Sequence, residues 1–221
     1  MKKITTGIFI AVSVYSFAQE VKVKSGNEKF SNGSHDCLVT SIFEGDKDKA
    51  MSKWKSKLNS FKDEKVSRKG DEVFGDNIEI KEWGNNPVDI YSRFDEDKDK
   101  KTVTMSIAVD LGGAYLTSSE KDKYHYMEKL IKDFAVDMTK DNIGDLVKDA
   151  EKALSKLESA QKDLEKENKG LKNDIEDYKK KISKAESDVK DNEASQTKKK
   201  AEIDSQKKIT DDIKKKLDKV N

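Results

Sequence analysis

The chain has 221 residues, of which 40% are charged and only 33% are hydrophobic, and its 45 basic and 44 acidic residues leave a net charge of +1. Because domains that bind nucleic acids through a basic field usually carry a strong positive excess, this balance argues against a nucleic-acid partner. A charged fraction so far above the roughly 25% of typical soluble domains, with 7% aromatic residues and one proline, predicts long solvated helix beside a modest core.

The N-terminus has the three-part layout of a secretory signal peptide. Two lysines precede a mostly apolar run over 4–17, and small residues occupy the −3 and −1 positions of a cleavage site before Gln19. The run is shorter than the roughly 20 residues that cross a bilayer as a helix, although an uncleaved anchor is the alternative. We therefore expect 1–18 to be a signal peptide. The mature chain is predicted to be exported, to the periplasm or the extracellular space, with no transmembrane span after cleavage.

The first predicted elements after the cleavage site are a leader, a strand and a helix. Residues 19–36 are polar and predict a flexible leader, with a short edge strand as the alternative. The apolar run 37–43 predicts a strand, and its Cys37, the only cysteine, is expected to be buried rather than to bridge two chains. Asp46 can cap the helix because its carboxylate can accept from N–H groups of the first turn. The apolar stripe of this helix has steps of three and four: Ala50, Met51, Trp54, Leu58 and Phe61.

The next part of the chain predicts a meander of strands followed by a second helix. Between 65 and 111 the apolar residues recur with a period of two between turn signals, which predicts three or four antiparallel strands. Ser119 is placed to cap a helix with its own apolar stripe. The residues of that stripe are Tyr124, Met127, Leu130, Ile131, Phe134 and Met138. A sheet covered on one face by two helices accounts for this order, so 37–140 is predicted to be a small two-layer α+β domain.

The segment 141–221 differs from the rest because about half of its residues are charged and it has no Pro, Phe or Trp. A heptad register continues from Ala150 to Val220 without a skip, which predicts a long C-terminal coiled-coil helix. The register fails upstream, and Gly144 makes a break or kink at 142–144 the expectation. The predicted coiled-coil interface, named the seam below, consists of twelve a and d residues: Leu154, Leu157, Leu164, Asn168, Leu171, Ile175, Tyr178, Ile182, Val189, Ile203, Ile213 and Leu217.

The seam predicts a homo-oligomer, because a helix with an apolar stripe on two sevenths of its surface cannot bury that stripe alone and needs a partner. A parallel homodimer is favoured. In such a dimer, a residue at a g position of one chain lies opposite the residue at the e position five residues later in the other chain. Both residues are charged in five of these pairs, and four of the five pairs are of opposite sign. Asn168 at an a position is typical of a residue that fixes the register of two strands. The alternatives are an intrachain helical hairpin with a turn in 190–200 and a trimer.

No motif in the sequence points to an enzymatic activity, a metal or a cofactor. The acidic run 95–99 begins like a calcium-binding EF-hand loop, but Lys100 stands where that loop needs glycine, so a hairpin tip is predicted. His35 and Cys37 lack the spacing of metal ligands. No Walker, dinucleotide-binding or nucleophile-elbow motif occurs.

Together these features predict an exported, non-enzymatic scaffold or interaction protein. Its coiled coil would pair or space the copies, while its α+β domain binds an unknown partner such as an envelope protein. A holdase-type periplasmic chaperone, which cradles clients between helical arms, is the first alternative. An enzyme with an unrecognised site in 20–140 is the second.

Overall fold

The computed structural model describes residues 20–61, 65–84 and 86–219, so the predicted signal peptide lies outside the described residues. Within these ranges, six strands form one antiparallel sheet: β1 (Lys24–Phe30), β2 (Gly33–Phe43), β3 (Val66–Lys69), β4 (Glu72–Ile78), β5 (Val88–Asp97) and β6 (Thr102–Asp110). The helices are α1 (Lys47–Asn59) and α2 (Lys121–Asp218), and a 3-10 turn covers Lys81–Trp83. The predicted class, an α+β domain followed by a long helix, is confirmed.

The sheet has the strand order β1-β2-β6-β5-β4-β3, and one of its faces is covered by helices. α1 lies against β3, β4 and β5, and the first turns of α2 join the same core. Trp54 of α1 is fully buried: its Nε1 donates to Ser92 Oγ of β5 at 2.7 Å, and its ring meets that of Phe134 of α2 edge-on at 4.9 Å. This indole therefore joins both helices to the sheet while its only donor is satisfied.

α1 begins where the sequence predicts. Asp46 Oδ1 accepts a hydrogen bond from Lys49 N at 2.8 Å, which satisfies one of the unpaired N–H groups of the first turn. The predicted stripe is the face that enters the core, with Trp54 and Leu58 fully buried and Phe61 half-buried. Both the cap and the stripe are therefore confirmed.

The segment predicted as a flexible leader over 19–36 is instead largely part of the sheet. β1 pairs with β2 from Lys24↔Val39 to Phe30↔Gly33, so the open alternative, an edge strand, is correct. Phe30 is buried with Cys37 on the sheet face that lies away from the helices. This polar strand is held in place by its pairing with β2 and by the buried ring of Phe30. The composition of the segment predicts neither contact.

α2 does not break at 142–144, contrary to the expectation from the sequence. Asn142 is buried, its Nδ2 donates to the carbonyl oxygen of Phe43 at 3.3 Å, and its Oδ1 accepts from Lys49 Nζ at 3.1 Å. Thr139 Oγ1 accepts from the backbone N–H of Phe43 at 3.1 Å. These contacts with the end of β2 offset the roughly 1 kcal/mol that a helix-interior glycine such as Gly144 costs.

The chain divides into two compact units, Met1–Ala150 and Glu151–Asn221. They are named the α+β unit and the helical unit below. The division falls ten residues after the predicted boundary, because α2 leaves the core only after Asn142. α2 also passes through 190–200 without a turn, so the chain does not form the intrachain hairpin.

Candidate functional site

The seam lies on the helical unit and is exposed to solvent along its length. Its eleven apolar side chains are between 48% and 67% exposed, although leucine, isoleucine and valine are usually among the most buried residues. Single exposed apolar side chains are ordinary on protein surfaces, whereas a continuous row marks an interaction surface. The structure therefore places the predicted interface residues together on one helix and leaves them uncovered.

Exposed large hydrophobic side chains in the described part of the chain are concentrated on the seam's heptad register. Fifteen occur there, all on α2, and thirteen of them occupy a or d positions. Ile143 and Val147 continue the register upstream of the seam, while Leu146 and Ile209 occupy the neighbouring g position. Because a and d are only two positions in seven, this distribution differs from that of a helix solvated on all sides.

Several polar residues at the a and d positions have partners within α2. Gln196 Nε2 donates to Asn192 Oδ1 at 2.5 Å, and Lys199 Nζ donates to a carboxylate oxygen of Glu202 at 2.5 Å. These contacts join residues one turn apart on a single helix. Polar groups that already have a partner cost less to bury than groups that have none. The polar a and d residues Asn192, Gln196 and Lys199 therefore do not prevent two helices from pairing.

Charged residues flank the seam, and their sign changes along the helix. Five g positions are charged and have a charged e position five residues later. These pairs are Glu167 with Lys172, Asp174 with Lys179, Lys181 with Glu186, Asp188 with Glu193, and Glu202 with Lys207. All ten side chains are exposed, so each ion pair between two chains would contribute only about 0.2–1 kcal/mol. The reversal of sign at Lys181 makes charge complementarity depend on register.

A second cluster lies on the sheet face away from the helices and joins residues that are distant in the sequence. The ring of His35 stacks on that of Tyr115 with 3.8 Å between centroids. Asn32 Nδ2 donates to Tyr115 Oη at 2.8 Å, and Asn32 Oδ1 lies 3.1 Å from His35 Nε2. These three residues are named the sheet-face cluster below. They form a polar and aromatic surface at the tip of the β1–β2 hairpin.

Tyr91 and Tyr115 both pack against the buried residues of this sheet face, and both stay protonated at neutral pH. Partial burial is the main cause that raises the pKa of Tyr91, and the Asp89 carboxylate acts in the same direction. Partial burial also raises the pKa of Tyr115, with a contribution of the same sign from Asp110. Protonated phenols donate hydrogen bonds but are poor bases, so neither tyrosine is suited to proton abstraction at neutral pH.

The sequence does not reveal the sheet-face cluster, because its members lie up to 83 residues apart. They meet because β1 and β2 turn back at Gly33 and because Tyr115, just after β6, forms a bridge with Asp110. His35, which lies within the predicted leader, is the one indication of the cluster in the sequence, and it carries no information about Tyr115.

Other candidate residues have structural roles. In the acidic run 95–99, Asp97 Oδ1 accepts from Lys100 N at 3.1 Å and so closes the turn between β5 and β6, as predicted for a hairpin tip. Cys37 is buried, which confirms that prediction, and burial raises the pKa of its thiol to about 11. Among the residues that the structure describes, no group of three or more His, Cys, Asp or Glu side chains could hold a metal ion.

Comparison of the chain with protein families, with curated proteins and with solved structures finds no match. Within 20–61, 65–84 and 86–219, no helix combines the length and the apolar character needed to cross a membrane. The seam and the sheet-face cluster are therefore the two features that bear on function.

Proposed function

We propose that this protein is an exported, non-enzymatic scaffold that pairs with a second copy through the seam, while its α+β domain engages a partner in the cell envelope. The observation that carries the proposal is the concentration of exposed apolar side chains at the a and d positions of α2. Complete burial of one such side chain contributes about 1.5–3 kcal/mol. A row of eleven half-exposed ones on each chain is therefore a strong driving force for association.

The charges beside the seam favour a second copy of the same chain as the occupant. In a parallel pair in register, Lys181 of each chain lies opposite Glu186 of the other. Sliding one chain by a heptad places Lys181 opposite Lys179 on one side and Asp174 opposite Glu186 on the other. Like charges in these positions are destabilising. The identical sequence thus complements itself best in one alignment of parallel chains.

The sheet-face cluster supports the second half of the proposal. The rings of His35 and Tyr115 stack on each other, and Asn32, which contacts the polar tips of both, is exposed to solvent. Tyrosine is enriched in protein interfaces because it combines a large apolar ring with a hydrogen-bonding hydroxyl. This face lies on the side of the sheet opposite the helices, so a partner can contact it without disturbing the core.

Charged substitutions on two faces of α2 test the pairing. Leu157→Asp with Leu171→Asp places two carboxylates on the seam, at d positions two heptads apart. The matched control, Ser159→Asp with Asn173→Asp, places two carboxylates at outer f positions with the same spacing. Light scattering on the full mature chain should give the mass of a pair for the wild type and for the control, and the mass of one chain for the seam variant. A seam variant that remains paired would refute the proposal.

A holdase-type chaperone is the second candidate, because the same exposed apolar row could hold an unfolded client. The two functions differ in what covers the seam. A chaperone should suppress the aggregation of a reduced, unfolded client protein, and the seam variant should lose that activity while the f-position variant keeps it. A wild-type chain that pairs with itself and leaves aggregation unchanged excludes the chaperone.

A further inference from the structure

The row of exposed apolar side chains continues past the seam into the α+β unit. Ile143, Leu146 and Val147 are 45–50% exposed, and Ile143 and Val147 occupy d and a positions of the seam's register. Asn142, directly before them, is buried against the end of β2. The register therefore starts at the first residue after α2 leaves the core.

We infer that the contact between two copies begins at Ile143, inside the α+β unit, and that the two copies are parallel. The inference rests on the proposed pairing through the seam. It adds the point at which the interface starts.

Ile143 and Val147 are exposed, although they directly follow the part of α2 that is buried against the sheet. The buried residues there are Ala135, Met138, Thr139 and Asn142. At 3.6 residues per turn, Ile143 and Val147 lie about a third of a turn around the helix from that buried face. A two-fold axis parallel to α2 can therefore bring Ile143 and Val147 of the two chains together.

An antiparallel pair is the main rival, and apolar matching favours the parallel pair over it. Its flanking charges are also largely complementary when the two chains overlap along the whole seam. That alignment, however, places Leu171 opposite Gln196 and Ile175 opposite Asn192. In the parallel pair Leu171 and Ile175 each lie opposite their own copies. The parallel pair therefore keeps apolar contacts that the antiparallel pair loses.

Single cysteines in the full mature chain test where the interface starts. Ile143→Cys and Leu157→Cys both occupy d positions, two heptads apart, and Ser159→Cys lies at an outer f position. Since a disulfide needs Cα atoms within about 7 Å, mild oxidation should link the Ile143→Cys and Leu157→Cys chains into covalent pairs. The Ser159→Cys chain should remain unlinked. The unsubstituted chain is the background control, because its Cys37 is buried.

Three other results of the cross-linking and mass measurements would each contradict a different part of the inference. Linking of Leu157→Cys without Ile143→Cys overturns the start of the interface and leaves the proposed pairing intact. Absence of linking in both variants, when the chain has the mass of a pair, overturns the parallel orientation. A chain that has the mass of one copy at every concentration refutes the pairing itself and the inference with it.

Discussion

Asn142 connects α2 to the sheet at the point where the sequence predicts a break. Only 5% of its surface is exposed. Its amide nitrogen donates to the carbonyl oxygen of Phe43, and its amide oxygen accepts from Lys49. We predict that Asn142→Ala lowers the free energy of unfolding of the α+β domain by about 2–3 kcal/mol.

The size of this effect follows from the two hydrogen bonds. A neutral hydrogen bond contributes about 0.5–1.5 kcal/mol and one to a charged group about 1.5–3 kcal/mol. Lys49 keeps a second acceptor, because its Nζ also donates to Asp145 Oδ2 at 2.9 Å. The cost of losing the hydrogen bond between Lys49 and Asn142 is therefore at the lower end of that range. The Phe43 carbonyl loses a buried donor, which adds to the cost.

Urea unfolding measures this effect through tryptophan fluorescence, because Trp54 and Trp83 both lie in the α+β unit. The midpoint should fall while the dependence on urea concentration stays unchanged. Asn173→Ala, an exposed change on the helical unit, is the control and should leave the midpoint where it is. If Asn142→Ala shifts the midpoint no more than the control does, these contacts do not hold α2 to the sheet.

Three further predictions concern the interface, the free thiol and a close backbone approach. Lys181→Glu should raise the dissociation constant of the pair about tenfold, because two attractive ion pairs in each dimer become repulsive. Adding Glu186→Lys should restore the original constant. Sedimentation equilibrium measures both. The thiol of Cys37 should resist labelling at pH 8 unless urea is present, since burial raises its pKa from 9.0 to about 11. The unfolded chain therefore ionises first, and stability should fall as pH rises from 9 to 11. Gly75→Ala should cost about 1–3 kcal/mol in thermal unfolding, because the added Cβ would lie 2.9 Å from an isoleucine side-chain carbon. Gly170→Ala, with open space around it, should be neutral or stabilising.

The sequence predicts well those features that depend on neighbouring residues. The cap at Asp46 and the stripe of α1 lie within 16 residues. The stripe follows from the 3.6-residue period of the helix, and the buried position of Cys37 follows from the apolar run of its strand. The heptad repeat of the seam is also recognised locally, and the pairing that it indicates stays a prediction.

Features that depend on distant partners could not be predicted. β1 is polar and is ordered by its pairing with β2, and α2 stays helical at 142–144 because Asn142 reaches the carbonyl of Phe43, 99 residues away. The stacking of His35 on Tyr115 requires the hairpin and the segment after β6 to meet on one face of the sheet. In each case tertiary contacts outweigh the local preference of the chain.

The mass of residues 19–221 in solution tests the central claim, that the seam is covered by a second copy. Sedimentation equilibrium should give a reversible association, with the mass of one chain at high dilution and of two chains as the concentration rises. The mass of a single chain at every concentration would contradict the account. So would a limiting mass of three chains, because the charge pattern and the polar a position at Asn168 favour two strands.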